Sequence, residues 1–520
     1  MQTRAGTWRM VGFVALWIVS FKAAAFAQLG EIPNAKYWLS KTAYFDGDYV
    51  SARDGFQEAA RSGIKTTDGR WVDSICFHVM LGECMYEAGN LTQALDQYSS
   101  ALKMHLAFQN WMLQVDFGSP DIETNLPAIT WGRPTRSTMI GKYPDRYALL
   151  QSTTSLVGNL SGGGGGNAQL VQGQQAILIG AQEIARCTAL AIRRRREIMG
   201  PTGVYDRLTD QVLASLMRRP APPNSWVQAW ISVQLGLAYS AAGKTELAMA
   251  ELTKGLQAGG TFDHLMTSLA LLELGDIHFH QGKYDAAGVF YMEATYSAAM
   301  FGQYDDMEAG FRGAQTCWLL SGKNAPFLPL TGATAWAGKQ QIRKLEVALR
   351  LLAAENLTLL GDTADAAVLL ATAQKAMFKK EMQIARPGAR WNFEMARVTF
   401  ANGDLVDGAA NLAVAMKFQQ ASSRWLFQIG LADALVTSNT LSEREADALY
   451  TDLLRDPTPR DWSIDPLESL TVASTSYAAA LEHWFLIALA RKEPEKAMEI
   501  ADRLRRHRFY STLPLGGRLL

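Results

Sequence analysis

The chain is 520 residues long, 48% hydrophobic, and carries 50 basic and 50 acidic side chains for a net charge of zero. That length exceeds what one compact core usually holds, so a repetitive or multi-unit fold is expected. A dedicated nucleic-acid binder shows a basic surplus, and its absence here removes nucleic acid from the expected partners.

Residues 1–27 read as a secretory signal. Arg4 and Arg9 form a positive start, an apolar stretch runs from Val11 to Phe21, and Ala25 and Ala27 supply the small residues of a cleavage site. The apolar stretch is about half the roughly 20 residues that a membrane-crossing helix needs. A buried N-terminal helix is the alternative, and Lys22 does not fit the signal pattern. No Cys follows the cut, which argues against a lipid anchor, and no second apolar run reaches spanning length. The mature chain is therefore expected to be exported, periplasmic or extracellular, with no integral membrane span.

Residues 35–110 carry two copies of one pattern. The first is Leu39, Tyr44, Gly47, Ala52, Phe56 and Ala59; the second is Leu81-Gly82, Tyr86, Gly89, Ala94, Tyr98 and Ala101. The glycine stops a first helix, the small Ala five residues later lets a second helix cross closely, and the aromatic after it fills the space between units. Cys76 and Cys84 fall on one expected helix, roughly 12 Å apart, too far for a disulfide. With Cys187 and Cys317 they read as buried thiols.

Residues 111–225 break the phase. Asn110–Tyr147 is rich in Trp, Pro, Gly and Thr and reads as irregular, and Ser161–Asn167 is a glycine-rich linker with no phosphate-loop context. A long helix is expected from about Ala168 to Met199, and another from about Tyr205 to Arg218. Arg193 to Arg196 form a run of four cations near the first helix's C-terminus, favoured there by its dipole. This insertion could extend the array or fold over its concave face.

In residues 226–420 the pattern returns at Leu235-Gly236, Tyr239, Gly243, Ala248 and Leu252, then at Leu274-Gly275, Phe279, Gly282, Ala287, Tyr291 and Ala294. Turn glycines follow at Gly322, Gly361 and Gly403, with gaps of 39, 40, 39 and 42 residues from Gly243 onward. Pro326 and Pro329 interrupt the helix expected after Gly322. Residues 421–520 continue as helical hairpins. Ser442 and Glu445 form a capping box, Pro494 starts a helix, and an apolar Leu519-Leu520 end suggests a continuing chain or a covering partner.

The Leu-Gly, turn-Gly and Ala-aromatic-Ala ladder resembles the tetratricopeptide repeat of exported bacterial proteins. The resemblance implies an all-α fold, an α-solenoid of helical hairpins, here with a period of about 39–42 residues against the usual 34 or so. A HEAT-like repeat is the structural alternative, but it leaves the ladder unexplained.

The resemblance also implies that first helices line a concave face that cradles a protein or peptide. Positions six and three before the turn glycines give the partner-binding candidates: Lys41 and Tyr44, Glu83 and Tyr86, Asp276 and Phe279, Arg397 and Phe400. Each pair shares a helix face, and an aromatic beside a charge suits recognition. Packing between helices is the plainer role for the aromatics.

No catalytic, cofactor-binding or metal constellation is visible. His278 and His280 point to opposite sides of a helix, and no His-Glu-x-x-His or Gly-x-Ser-x-Gly occurs. The expected function is a non-catalytic protein-interaction scaffold. Its rivals are a docking region of a larger enzyme, an envelope-structural protein bound to cell-wall polymer, and self-association by end-to-end stacking.

Overall fold

A computed structural model describes residues 32–61, 63, 65–66, 69–157 and 169–513, and of residues 65, 66, 69, 150–157 and 169–177 the backbone alone. The expected signal segment, the glycine run 161–167 and the Leu519-Leu520 end lie outside these residues. The chain is predominantly helical.

The N-terminal pattern forms two hairpins: α1 (Ala35–Phe45) with α2 (Tyr49–Arg61), and α3 (Ser74–Glu87) with α4 (Leu91–Ala107). The turn residues Gly47 and Gly89 adopt φ of 78° and 81°, the left-handed geometry that glycine enters without steric cost. The aromatic of the ladder packs within its own hairpin and not only, as the spacing suggested, between units: Tyr98 lies on Gly82 and Tyr291 on Gly275. A Cβ at Gly82 would lie 2.6 Å from the Tyr98 ring, so only glycine lets α4 approach α3 this closely. Ala52, Phe56, Ala94 and Tyr98 are fully buried, and each large side chain contributes about 2–3 kcal/mol of burial free energy.

The insertion differs from its expected form. Residues 169–179 are a strand, β7 (Gln169–Ile179), paired antiparallel with β6 (Tyr147–Val157) along the whole length of both. The helix expected from about Ala168 starts only at Ala181. Two stretches containing Leu, Val, Ile and Thr flank a glycine-rich link, and the ladder between them satisfies backbone groups that a helix would otherwise have to. Short strands β3 (Val115–Asp116), β4 (Asp121–Ile122), β5 (Met139–Lys142) and β8 (Phe262–Asp263) tie the insertion to the central helices, since β5 pairs with β8 in parallel. Strands β1 (Lys65–Thr66) and β2 (Gly69–Arg70) link α2 to α3. Trp131 anchors the irregular segment, donating its indole N–H to Thr295 at 3.0 Å.

The helix α5 (Ala181–Met199) leaves this hairpin and lies beside α3, α4 and α7 (Gln228–Ala241), with α6 (Arg207–Met217) against α4 and α7. Then come α8 (Thr245–Gly255), α9 (Thr267–His280), α10 (Tyr284–Met300), α11 (Tyr304–Leu320), α12 (Pro329–Lys339), α13 (Arg343–Leu359) and α14 (Thr363–Ala376). Pro329 opens α12 instead of interrupting a helix, because its missing N–H costs nothing in the first turn. Turns at Gly302 and Gln341, both at positive φ, separate α10 from α11 and α12 from α13. After α15 (Lys380–Ile384), hairpins continue as α16 (Arg386–Ala401) with α17 (Leu405–Ser422), and α18 (Arg424–Thr437) with α19 (Glu443–Leu453). Two short helices, α20 (Pro459–Ile464) and α21 (Pro466–Ser474), precede α22 (Ala478–Ala490) and α23 (Pro494–Ser511). The Ser442/Glu445 capping box forms, and an unforeseen one, Thr458/Asp461, opens α20.

First helices also neighbour one another: α7 lies beside α9, α9 beside α11, α11 beside α13, and α13 beside α16. Contacts then return to earlier elements, with α13 against α1 and α18 against α5. Among the described residues, no helix is long and apolar enough to cross a membrane.

Candidate functional site

Carboxylates inside apolar helices locate the site. Glu83 sits in the largely apolar α3, and Glu273 in the Leu-rich α9, both fully buried. A buried carboxylate is stable only beside a cation or several donors. Helix α5 supplies the cations: in its run Arg193–Arg196, Arg193 and Arg195 are buried, Arg194 and Arg196 half-buried, and every member is ion-paired.

Arg194 spans Glu83, with Nε and Nη2 each 2.9 Å from its carboxylate oxygens, and reaches Glu197 at 2.8 Å. The guanidinium carbon also lies 4.7 Å from the centre of the Tyr86 ring, and Arg386 lies 4.4 Å from that same centre. Arg196 pairs with Glu273 at 2.7 Å and Asp276 at 3.1 Å, while Arg195 pairs with Asp206 at 2.9 Å. Arg193 pairs with Glu197 at 3.0 Å and lies 3.8 Å from Asp306.

At the other end of α5, Glu183 accepts hydrogen bonds from Tyr37, from Lys41 at 3.1 Å, and from both Nε and Nη2 of Arg186. Burial alone would push the Glu183 carboxyl up. Arg186, Lys41 and the hydrogen bonds outweigh it and hold the group well below the carboxylate range. Burial and the neighbouring Arg186 push the Lys41 ammonium down.

A second centre joins α13 to the first two hairpins. Lys344 of α13 pairs with Asp305 and with Glu87 at 3.0 Å, and donates to the Tyr44 hydroxyl at 3.1 Å. Nearby, Lys379 reaches Asp48 at 2.8 Å and Arg343 lies 3.6 Å from Asp46. Gln428 of α18 donates to the Glu197 carbonyl at 3.2 Å. The gap left among Lys41, Arg186, Asp305 and Asp306 is about 10 Å³, room for about one water. No peptide fits there in this arrangement.

The eight candidate positions are thus engaged within the chain. Lys41, Tyr44, Glu83, Tyr86 and Asp276 meet in the network that α5 and Lys344 complete. Phe279 lies under Arg460, whose guanidinium carbon is 4.6 Å from the ring centre. Arg397 pairs with Glu394 at 3.0 Å, and Phe400 packs where a Cβ on Gly408 would stand, at 2.6 Å. The last contact explains a glycine at the close-crossing position of that unit.

Sequence reasoning missed Glu183, Arg186, Glu273, Asp305 and Lys344. The usable signal was a charge within an apolar stretch, as at Glu273 between Leu272 and Leu274, which demands a buried partner. Among the described residues, no group of three or more His, Cys, Asp or Glu is placed to hold a metal ion. All four cysteines are buried and free. No protein-family model matches this sequence, and no curated protein sequence matches it.

Proposed function

We propose that this chain is a tetratricopeptide-like α-solenoid, exported to the periplasm or beyond, that works by binding a protein or peptide and not by catalysis. The carrying observation is the docking of α5. Faces of α3, α9 and α11 accept Arg194, Arg196 and Arg193 through Glu83, through Glu273 and Asp276, and through Asp306. A face that selects an arginine-bearing helix within the chain has the chemistry to select one on a partner. In the free chain that face is filled, so a partner reaches it by loosening the contacts around Lys344.

The test is affinity capture from the native envelope fraction with tagged residues 28–520. The control is the Tyr86→Ala/Phe279→Ala variant, its helicity checked by circular dichroism. Capture of a specific protein by the parent chain, lost with the folded variant, supports the reading. Empty capture with the parent chain would sink it, and undiminished capture by the variant would move the binding surface off the inner face.

A further inference from the structure

Away from the ionic network, a cavity of about 280 Å³ opens between α10, α11 and the extended segment around Arg133. Its size is near the lower end for small-molecule sites. On the measure by which one water needs about 10–15 Å³, it is far larger than a hydration site. Met292, Tyr296, Ala314 and Phe327 give it an apolar lining.

The charges at its edge are unequal in what they still need. Glu293 accepts from the Thr135 backbone N–H at 2.6 Å and its hydroxyl at 2.7 Å, and Asp285 accepts from Ser321 at 3.1 Å. The two cations, Arg133 and Lys323, are exposed and make no ion pair among the described residues. Lys323 lies 4.4 Å from the centre of the Trp318 ring. Donors thus already occupy both carboxylates, whereas Arg133 and Lys323 have no side-chain acceptor among the described residues, and a ligand's acidic group supplies one.

Gly288 adds an independent observation. It sits inside the 17-residue α10, where glycine costs about 1 kcal/mol relative to alanine. Close packing explains other helical glycines: a Cβ at Gly275 or Gly313 would lie 2.7 Å from Tyr291. At Gly288 the nearest atom is the Cys317 Cβ at 3.5 Å, an ordinary contact. Packing does not require glycine there. What the missing side chain leaves is open volume in the cavity wall.

We propose that this cavity binds a small amphipathic organic anion, with an apolar or aromatic body against Met292 and Phe327 and its acidic group between Arg133 and Lys323. The test is calorimetric titration of the full chain with naphthoate, and with uncharged naphthalenemethanol as the comparison. The expected result is one saturable site with a Kd below about 1 mM for naphthoate, and binding of the alcohol at least about tenfold weaker. Arg133→Ala/Lys323→Ala, at two exposed positions, weakens naphthoate by a similar factor. Gly288→Phe or Gly288→Leu, with helicity unchanged, abolishes binding by filling the space. Absence of saturable binding below about 1 mM would overturn the proposal. Equal affinity for the alcohol, or unchanged affinity in the Arg133/Lys323 variant, would overturn the anion assignment. Unchanged binding by a folded Gly288 variant would overturn the location.

Discussion

The guanidinium of Arg194 clasps the carboxylate of Glu83 with two hydrogen bonds of 2.9 Å, joining residues 111 positions apart. Glu83 has no exposed side-chain surface, and Tyr98 donates a further bond to it at 2.6 Å. Removing the cation strands a buried charge, which costs about 3–5 kcal/mol, whereas replacing both partners costs far less. Arg194→Met is therefore expected to lower the urea midpoint sharply, and Arg194→Met with Glu83→Gln to recover most of it. Additive losses in the double variant would mean that the two side chains do not act as a pair.

Lys344 ties α13 to the first two hairpins through Asp305, Glu87 and Tyr44. Its burial penalty is outweighed by Asp305 and Glu87, which hold the ammonium well above its usual range. Lys344→Ala leaves both carboxylates without it. Hydrogen exchange in α1 and α13 is expected to quicken by at least about tenfold, an opening easier by about 1.4 kcal/mol. Exchange there at the parent rate would show that apolar packing alone holds α13 against α1.

Glu355 and Glu394 give a pH signature. Burial pushes Glu355 up to about 7 and Glu394 up to about 8; Arg397 opposes both shifts, and the Glu355 charge adds to that of Glu394. Both acids hold their proton more tightly in the folded chain than at the ordinary value of 4.5. Their contribution is complete below that value and is lost as pH rises through the folded pair. Thermal stability is expected to fall from about pH 5 to pH 8, and Glu355→Gln to flatten the slope by on the order of 2 °C in Tm. A slope unchanged in that variant would assign the pH dependence to other groups.

The thiols are expected to be inert. Cys317 is pushed up to about 12 by burial, with Asp276 and Asp285 adding to the shift, and Cys84 is also raised, chiefly by burial. Ellman's reagent at about pH 8 should find almost no reactive thiol in the native chain and all four cysteines after denaturation. Fast labelling of the native chain would show that these helices open readily.

The hairpins were legible because each depends on local chemistry. Gly82 must be glycine against Tyr98, and Ser442 must meet Glu445 three residues on. The turn at Gln341 escaped notice because a non-glycine residue holds positive φ there. The strand at 169–179 was hidden for another reason: its pairing with 147–157 is non-local, and short apolar runs fit a strand or a helix equally well. Arg193–Arg196 carried a dipole argument that was sound for one helix end. Glu197 apart, the carboxylates that pair with them lie from 11 residues away, at Asp206, to 113, at Asp306, which no local pattern announces.

The most direct measurement is hydrogen exchange across residues 181–199, read peptide by peptide in the free chain and again with any captured protein bound. If α5 fills the inner face, its amides exchange among the slowest in the chain, together with α3, and change their protection when a partner engages that face. Exchange of α5 in the free chain as fast as that of surface helices such as α23 would contradict a face closed by its own chain.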